Sequence, residues 1–329
     1  MVHDKPSTRK MALSRLAIVL TITLWAAYFV ATIIRQFFEG PQTFEFTMEA
    51  ISYLLVMTLL TFSALMYLIT RQGALVRFEK HVRVPRAELE RYFSEKQPDI
   101  TVLVPAVSEE PAVVRKTLIS AALQEYPSKR VVLLIDDNPQ PKNQAAADRL
   151  MATRKLAIEL TELLSRPQAR FTAALQKFER QHAHAPTAST KVIADLAEHY
   201  ELAANWLNRF AREEDAVASD HVDEFFTEQV VRGLARELQL VANALTVSAA
   251  EGAKLSTARV HQLYRRLTWI FNVELDSFER KTFASFSHEY NKAMNLNSYI
   301  SIMGGTWRQE KTPDGPALIA VEKGTKGNS

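Results

Sequence analysis

Cysteine is absent from the 329 residues, which excludes disulfides, thiolate metal sites and a cysteine nucleophile. Net charge is nearly absent too: 40 basic residues stand against 37 acidic ones, a formal +3, so nothing in the overall balance argues for a nucleic-acid partner. Glycine is scarce, and none falls in the turn 105–111, where a dinucleotide-binding fold would need Gly-x-Gly-x-x-Gly after its first strand. Charge is also missing from two long stretches, nineteen residues from Leu16 to Ile34 and twenty-one from Ala50 to Thr70.

Each of those stretches is long enough to cross a hydrocarbon core of roughly 30 Å at about 1.5 Å per residue, and both read as transmembrane helices. The first is longer than the apolar core of a signal peptide, and no small-x-small cleavage site precedes Gln36. The connection from Arg35 to Glu49 carries Glu39, Glu45 and Glu49 against one arginine. Basic residues flank the outer ends: Lys5, Arg9, Lys10 and Arg15 before the first span, then Arg71, Arg77, Lys80, Arg83 and Arg86 after the second. The positive-inside rule then expects a multi-pass hairpin in the cell (inner or plasma) membrane, with both termini and the soluble region cytoplasmic. Residues 71–96 follow as a juxtamembrane linker, which mixes basic and apolar residues and suits either the membrane surface or a solvated helix.

The soluble region opens with a pattern around which the rest is organised. Ile100, Val102, Leu103 and Val104 form a short apolar run closed by Pro105, and Val131 to Ile135 form another. Runs that are nearly all apolar suit strands covered on both faces. Between them Val113, Val114, Thr117, Leu118, Ala121 and Ala122 recur at helical spacing after Pro111, a residue suited to a helix's first turn. The pattern predicts a β-α-β unit with parallel strands. Ligands of open α/β sheets sit beyond the carboxyl ends of the strands, where Ser108, Glu109, Asp136 and Asp137 fall.

Residues 143–283 are rich in helix formers, with breaks expected at Pro167, His182–Thr187, Ala216–Asp220 and Gly252–Ser256. We expect four or five helices here, separable from the β-α-β unit and suited to binding a protein partner, to regulation or simply to packing. Within them His182-x-His184 has metal-ligand spacing but lies beside Pro186 without nearby carboxylates, and reads as a solvated loop. Asp220, Asp223 and Glu224 read as the solvated first turn of a helix. A last helix is expected over Asn291–Met303, stopped by Gly304-Gly305, then a strand at Pro316–Val321 and a polar tail. An ammonium at that helix start, Lys292, suits a diphosphate, since helix N-termini and lysine both favour phosphate oxygens, although on the residues alone a solvated surface lysine is the better reading.

Two segments carry a family resemblance. Pro105 to Glu109, Tyr126-Pro127 and Asp136-Asp137 resemble the opening of a family-two glycosyltransferase domain, although Val107 and Ser108 replace the usual Tyr and Asn of its turn. Asn291-Lys292-Ala293-Met294-Asn295-Leu296-Asn297 resembles that family's Lys-Ala-x-Asn-Leu-Asn segment. The resemblance implies a membrane-anchored, cellulose-synthase-like enzyme with a partial GT-A (Rossmann-like) domain. Its donor would be a nucleotide-sugar, UDP-linked by expectation, and its acceptor a glycan or lipid. Donor-binding residues implied are Glu109, Asp136, Asp137, Lys292 and Asn295. The complete enzyme would use Mg²⁺ or Mn²⁺, yet the family's Asp-x-Asp metal motif and its later acidic base motif do not occur. Gln262-Leu263-Tyr264-Arg265-Arg266 is not the Gln-x-x-Arg-Trp acceptor motif, because it precedes Lys292 and lacks the Trp.

The resulting expectation is an α/β chain with a basic N-terminus (1–15), a transmembrane hairpin (16–70), the linker (71–96), a first part of the GT-A domain (97–142), a helical insertion (143–283) and an incomplete second part (284–329). On this reading the chain is the N-terminal part of a longer synthase and inactive alone. The alternative is a non-catalytic membrane protein whose helical block binds a partner.

Overall fold

The computed structural model describes residues 5–321 apart from Gln42, Arg83, Ala183, His184 and Ser219, so the second histidine of the His-x-His pair and the polar tail lie outside the described residues. The chain divides into two compact units, Val2–Arg86 and Ala87–Ser329. It is a mainly helical chain with a small parallel sheet.

The first unit is two helices, α1 (Thr8–Phe38) and α2 (Phe44–Lys80). Ser7 and Thr43 cap them by accepting from the backbone N–H of Lys10 and Phe46. Both are long and apolar enough to cross a membrane, each holding an 18-residue stretch of high mean hydropathy, 2.2 in the first and 1.9 in the second. Leu20, Leu24, Leu59 and Phe62 are exposed along them, a surface that water penalises and lipid does not. Trp25 Nε1 donates to Thr58 Oγ1 at 3.3 Å, and the Tyr28 and Tyr53 rings meet at 6.1 Å, so these aromatics join the two helices to each other.

The second unit opens with α3 (Arg86–Glu95), whose Phe93 packs edge-on against Tyr126. The expected β-α-β unit follows: β1 (Ile100–Ala106), α4 (Pro111–Ala122) and β2 (Lys129–Ile135), paired parallel from Ile100↔Lys129 to Ala106↔Ile135. Next come α5 (Gln144–His182), the two-residue β3 (Thr187–Ala188), α6 (Thr190–Asp215) and α7 (His221–Phe225). A π-helical turn at Phe226–Val231 leads into α8 (Arg232–Ala250), followed by β4 (Leu255–Ser256), which pairs with β3, and α9 (Thr257–Phe271). The chain then forms β5 (Glu274–Glu279), a 3₁₀ turn, α10 (Lys292–Ile302) and the hairpin β6 (Trp307–Thr312) and β7 (Gly315–Ala320).

Three expectations are corrected. Residues 143–283 are not helical throughout: helix ends at Phe271, and β5 pairs parallel with β2, giving a sheet of order β1-β2-β5. Its acids Glu274, Asp276 and Glu279 disguised it, and they are tolerated because β5 lies at an edge, where Arg130 pairs with Asp276 at 2.9 Å. Pro167 does not break α5, which runs through it. Nor is the helical block separable. Val104, Val131, Leu133 and Ile135 of the sheet share one core with Leu160, Phe171, Ile193, Leu207, Leu267 and Phe271. Ion pairs reinforce the junction: Arg266 with Glu125 (3.0 Å), Arg154 with Glu279 (2.7 Å), and Arg115 with Glu214 and Lys116 with Asp223.

The sheet's two faces are covered differently. The helical block and α4 cover one face. Against the other, Val132 and Leu134 meet Tyr299 of α10, with Leu103, Phe278, Leu296 and Ile302 around them. Ile100 N–H donates to Ser128 O, and Ala106 O accepts from Asp136 N–H, so even-numbered residues of β1 bond to β2. Thr101, Leu103 and Pro105 therefore turn their backbone groups to the outer edge, where no strand pairs among the described residues. Proline, which has no N–H to offer, is tolerated in a strand at such an edge.

Candidate functional site

The residues at the carboxyl end of β2 part company. Asp136 continues the strand inward and is fully buried. Its carboxylate accepts from Arg280 Nε at 2.7 Å and Arg280 Nη2 at 3.1 Å, and Lys281 Nζ lies 3.3 Å away while donating to the Asp136 carbonyl at 2.6 Å. Arg280, also fully buried, donates further to the carbonyls of Ser287 and Glu289. A buried bidentate pair with its remaining donors satisfied is the arrangement in which a buried charge is tolerable. Asp136 thus faces protein on every side, and it organises the loop leading to α10.

Asp137 turns toward solvent. It accepts from Ser108 N–H at 3.1 Å and from Ser108 Oγ at 3.0 Å. Ser108 has φ of +54°, the left-handed region that a non-glycine residue enters at a cost, and the two bonds from Asp137 hold it there. This clasp joins the turn after β1 to the end of β2. Glu109, next in that turn, is exposed at the same end of the sheet.

The second motif arrives from the other direction. Asn291 caps α10 by accepting from Ala293 N–H at 2.9 Å, which leaves Lys292 exposed in the first turn. Asn295 is fully buried and donates from Nδ2 to the Leu134 carbonyl of β2 at 3.1 Å, while its Oδ1 is buried without a hydrogen-bond partner among the described residues. That unmet acceptor costs roughly 1–3 kcal/mol unless a group outside the protein meets it.

Beyond these strand ends lies an open cleft of about 720 Å³. Asn138 and Gln140 line one side, Lys281, His288 and Tyr290 another, and the β6–β7 turn at Asp314–Pro316 closes it. Tyr290 is largely exposed, with Lys281 Nζ 4.6 Å from its ring centre. A smaller recess of about 170 Å³ adjoins Asp137 and Ser108, with Lys142 and Arg149 on its wall. The surroundings are rich in hydrogen-bonding groups and set Lys142, Arg149 and Lys281 against Asp137 and Asp314, with Lys281 already paired to Asp136.

Of the five residues expected to bind a donor, Glu109, Asp137 and Lys292 are at the surface, while Asp136 and Asn295 lie within the protein and brace the strand end. Composition places Arg280 and Lys281 within a helical block and so hides their role; the acidic-to-basic step Glu279-Arg280-Lys281 is the signal the sequence offers for them. The described residues place no clustered set of ligands for Mg²⁺ or Mn²⁺ at this end of the sheet. No group of three or more His, Cys, Asp or Glu among them could hold a metal ion, Asp136 is neutralised by Arg280, and Asp137 is engaged by Ser108. Comparison with known proteins returns no matching family model, curated protein or solved structure.

Proposed function

We propose that the chain is a membrane-bound glycosyltransferase component that binds a nucleotide-sugar, UDP-linked, at the carboxyl end of its parallel sheet. The observation that carries the reading is the Asn295–Leu134 hydrogen bond at 3.1 Å. It joins two segments 161 positions apart, each of which resembles the same family on its own. Segments brought together only by the fold, at the end of the sheet where α/β proteins take their ligands, support a common site.

On this reading Asp137 accepts from the uracil N–H or a ribose hydroxyl, and Lys292, at a helix N-terminus, offsets diphosphate charge. Asp136, through Arg280, fixes the loop that carries Lys292. The acceptor is a glycan or lipid, and α1 and α2 hold the soluble unit at the cytoplasmic face of the membrane with both termini inside. The reading assigns no catalytic base and no metal ligand.

Titration of the detergent-purified chain with UDP tests the site. Asp137→Ala and Lys292→Ala should each weaken binding by roughly ten- to a hundredfold, the equivalent of one charge-assisted hydrogen bond. Asp137→Asn, which can still accept from Ser108, separates loss of ligand contact from collapse of the turn. Added Mg²⁺ should change affinity little. Unaltered UDP binding in both alanine variants would sink the assignment.

A further inference from the structure

A second cleft, of about 1230 Å³, opens between α5 and α6, away from the sheet end. Its origin is a shared support. Phe271 of α9 stacks on Phe171 of α5 at 5.1 Å and meets Trp206 of α6 edge-on at 5.4 Å, so both helices rest on α9 and leave a valley above it. Trp206 also stacks on Phe210 at 5.7 Å and remains only half-buried, so the indole forms part of the valley floor.

The walls are cationic. Arg166 and Arg170 stand one turn apart on α5, Arg209 and Arg212 one turn apart on α6, and Arg232 borders the same space. Arg232 is neutralised by Asp215 and Glu228. The other four make no side-chain ion pair among the described residues, although Glu159, Glu162 and Glu213 line the same cleft. Other arginines of this unit are matched, as Arg154 is with Glu279 and Arg266 with Glu125, while Arg149, Arg180 and Arg265 likewise make no side-chain ion pair among the described residues. Glu162 and Glu213, each four residues from an arginine on its own helix, offset part of this charge, and the excess of arginine that remains favours a ligand that brings negative charge.

We propose that this valley is a binding site for a nucleotide bearing at least two phosphates, independent of the site at the sheet end. Planar guanidinium forks from both walls match phosphate oxygens in a bidentate way that lysine would not. The Trp206 face supplies a stacking platform for a base. That platform is what separates a nucleotide from a lipid headgroup, which offers phosphate without a ring. Because the site is built by α5 and α6, with Arg232 of α8 at its border and α9 beneath, occupancy would rigidify the helical block that shares its core with the sheet.

The test uses the full chain in detergent micelles carrying Lys292→Ala, which weakens the proposed sheet-end site and keeps the two readings distinguishable. ADP, GDP, UDP, inorganic pyrophosphate and glycerol phosphate, a soluble mimic of a lipid headgroup, are titrated by calorimetry. At least one nucleoside diphosphate should bind, and Arg170→Gln/Arg209→Gln should weaken it by about a hundredfold, since two charge-assisted contacts are lost. Trp206→Leu should weaken the nucleotide about tenfold and leave pyrophosphate unchanged. Unchanged circular dichroism establishes that the variants fold. The proposal is overturned by absence of binding at millimolar nucleotide, by equal binding to the double variant, or by binding of glycerol phosphate alone.

Discussion

The two faces of the sheet are stabilised by different physics. Toward the helical block, strand residues join a continuous core that includes Leu160, Ile193, Leu207, Leu267 and Phe271, all nearly inaccessible to water. Toward α10 the buried apolar residues among those described are Val132, Leu134 and Tyr299, and polar links do much of the holding: Arg280 to Asp136, Asn295 to Leu134. Apolar burial is non-directional and survives small displacements, whereas a buried ion pair loses its balance when one partner leaves. The face bearing the candidate site is therefore ordered chiefly by geometry-sensitive contacts, and local opening should begin there.

The sharpest way to break this contrast is Arg280→Met. It leaves the buried Asp136 carboxylate with Lys281 as its remaining cation, at 3.3 Å, and we expect a loss of about 3 kcal/mol in urea unfolding, with amide protection in α10 falling before that in α6. Equal loss of protection on both faces would show that the faces do not differ. A paired comparison comes next: fully buried Leu207→Ala should cost about 2–5 kcal/mol, and half-buried Leu296→Ala on α10 roughly half as much, both read from chemical denaturation.

The smallest effect, per pH unit, is a titration on the block side of the sheet. Lys129 donates to the carbonyls of Gln124 (2.7 Å), Trp269 and Ile270 (3.3 Å), and its burial pushes the ammonium down to about 7. Between that value and the unfolded value of about 10.4, the unfolded chain holds a proton that the folded chain lacks. Stability should therefore rise with pH across this window, by up to about 1.4 kcal/mol per unit, and fall back as pH drops to 7. Urea unfolding at pH 7, 8 and 9 measures the slope, and Lys129→Met should flatten it.

The faces also differ in how legible they are from sequence. The β-α-β unit was readable because each element obeys one dominant rule: continuous apolar runs for strands covered on both faces, helical spacing after Pro111 for α4. The start of α10 was readable from its Asn291 cap and its motif. β5 was not, since Glu274, Asp276 and Glu279 look like the neighbouring helices and only pairing with β2 reveals a strand. Pro167 misled because surrounding contacts override a local breaker: it is buried within α5. Asp136 and Asp137 are chemically identical and adjacent, so no composition argument separates them. Strand alternation does, sending one side chain to Arg280 and the other to Ser108.

Pro105 has a consequence for the chain's behaviour in a crowd. An outward strand edge is a template on which a second chain can lay down a ladder, and β1 offers one. Of the three outward residues, Thr101 and Leu103 present both a donor and an acceptor, and Pro105 presents a carbonyl alone, so the row ends after two complete rungs. A proline that leaves the β1–β2 ladder intact thus acts as a guard against self-templating, blocking sheet growth beside the turn that carries Ser108.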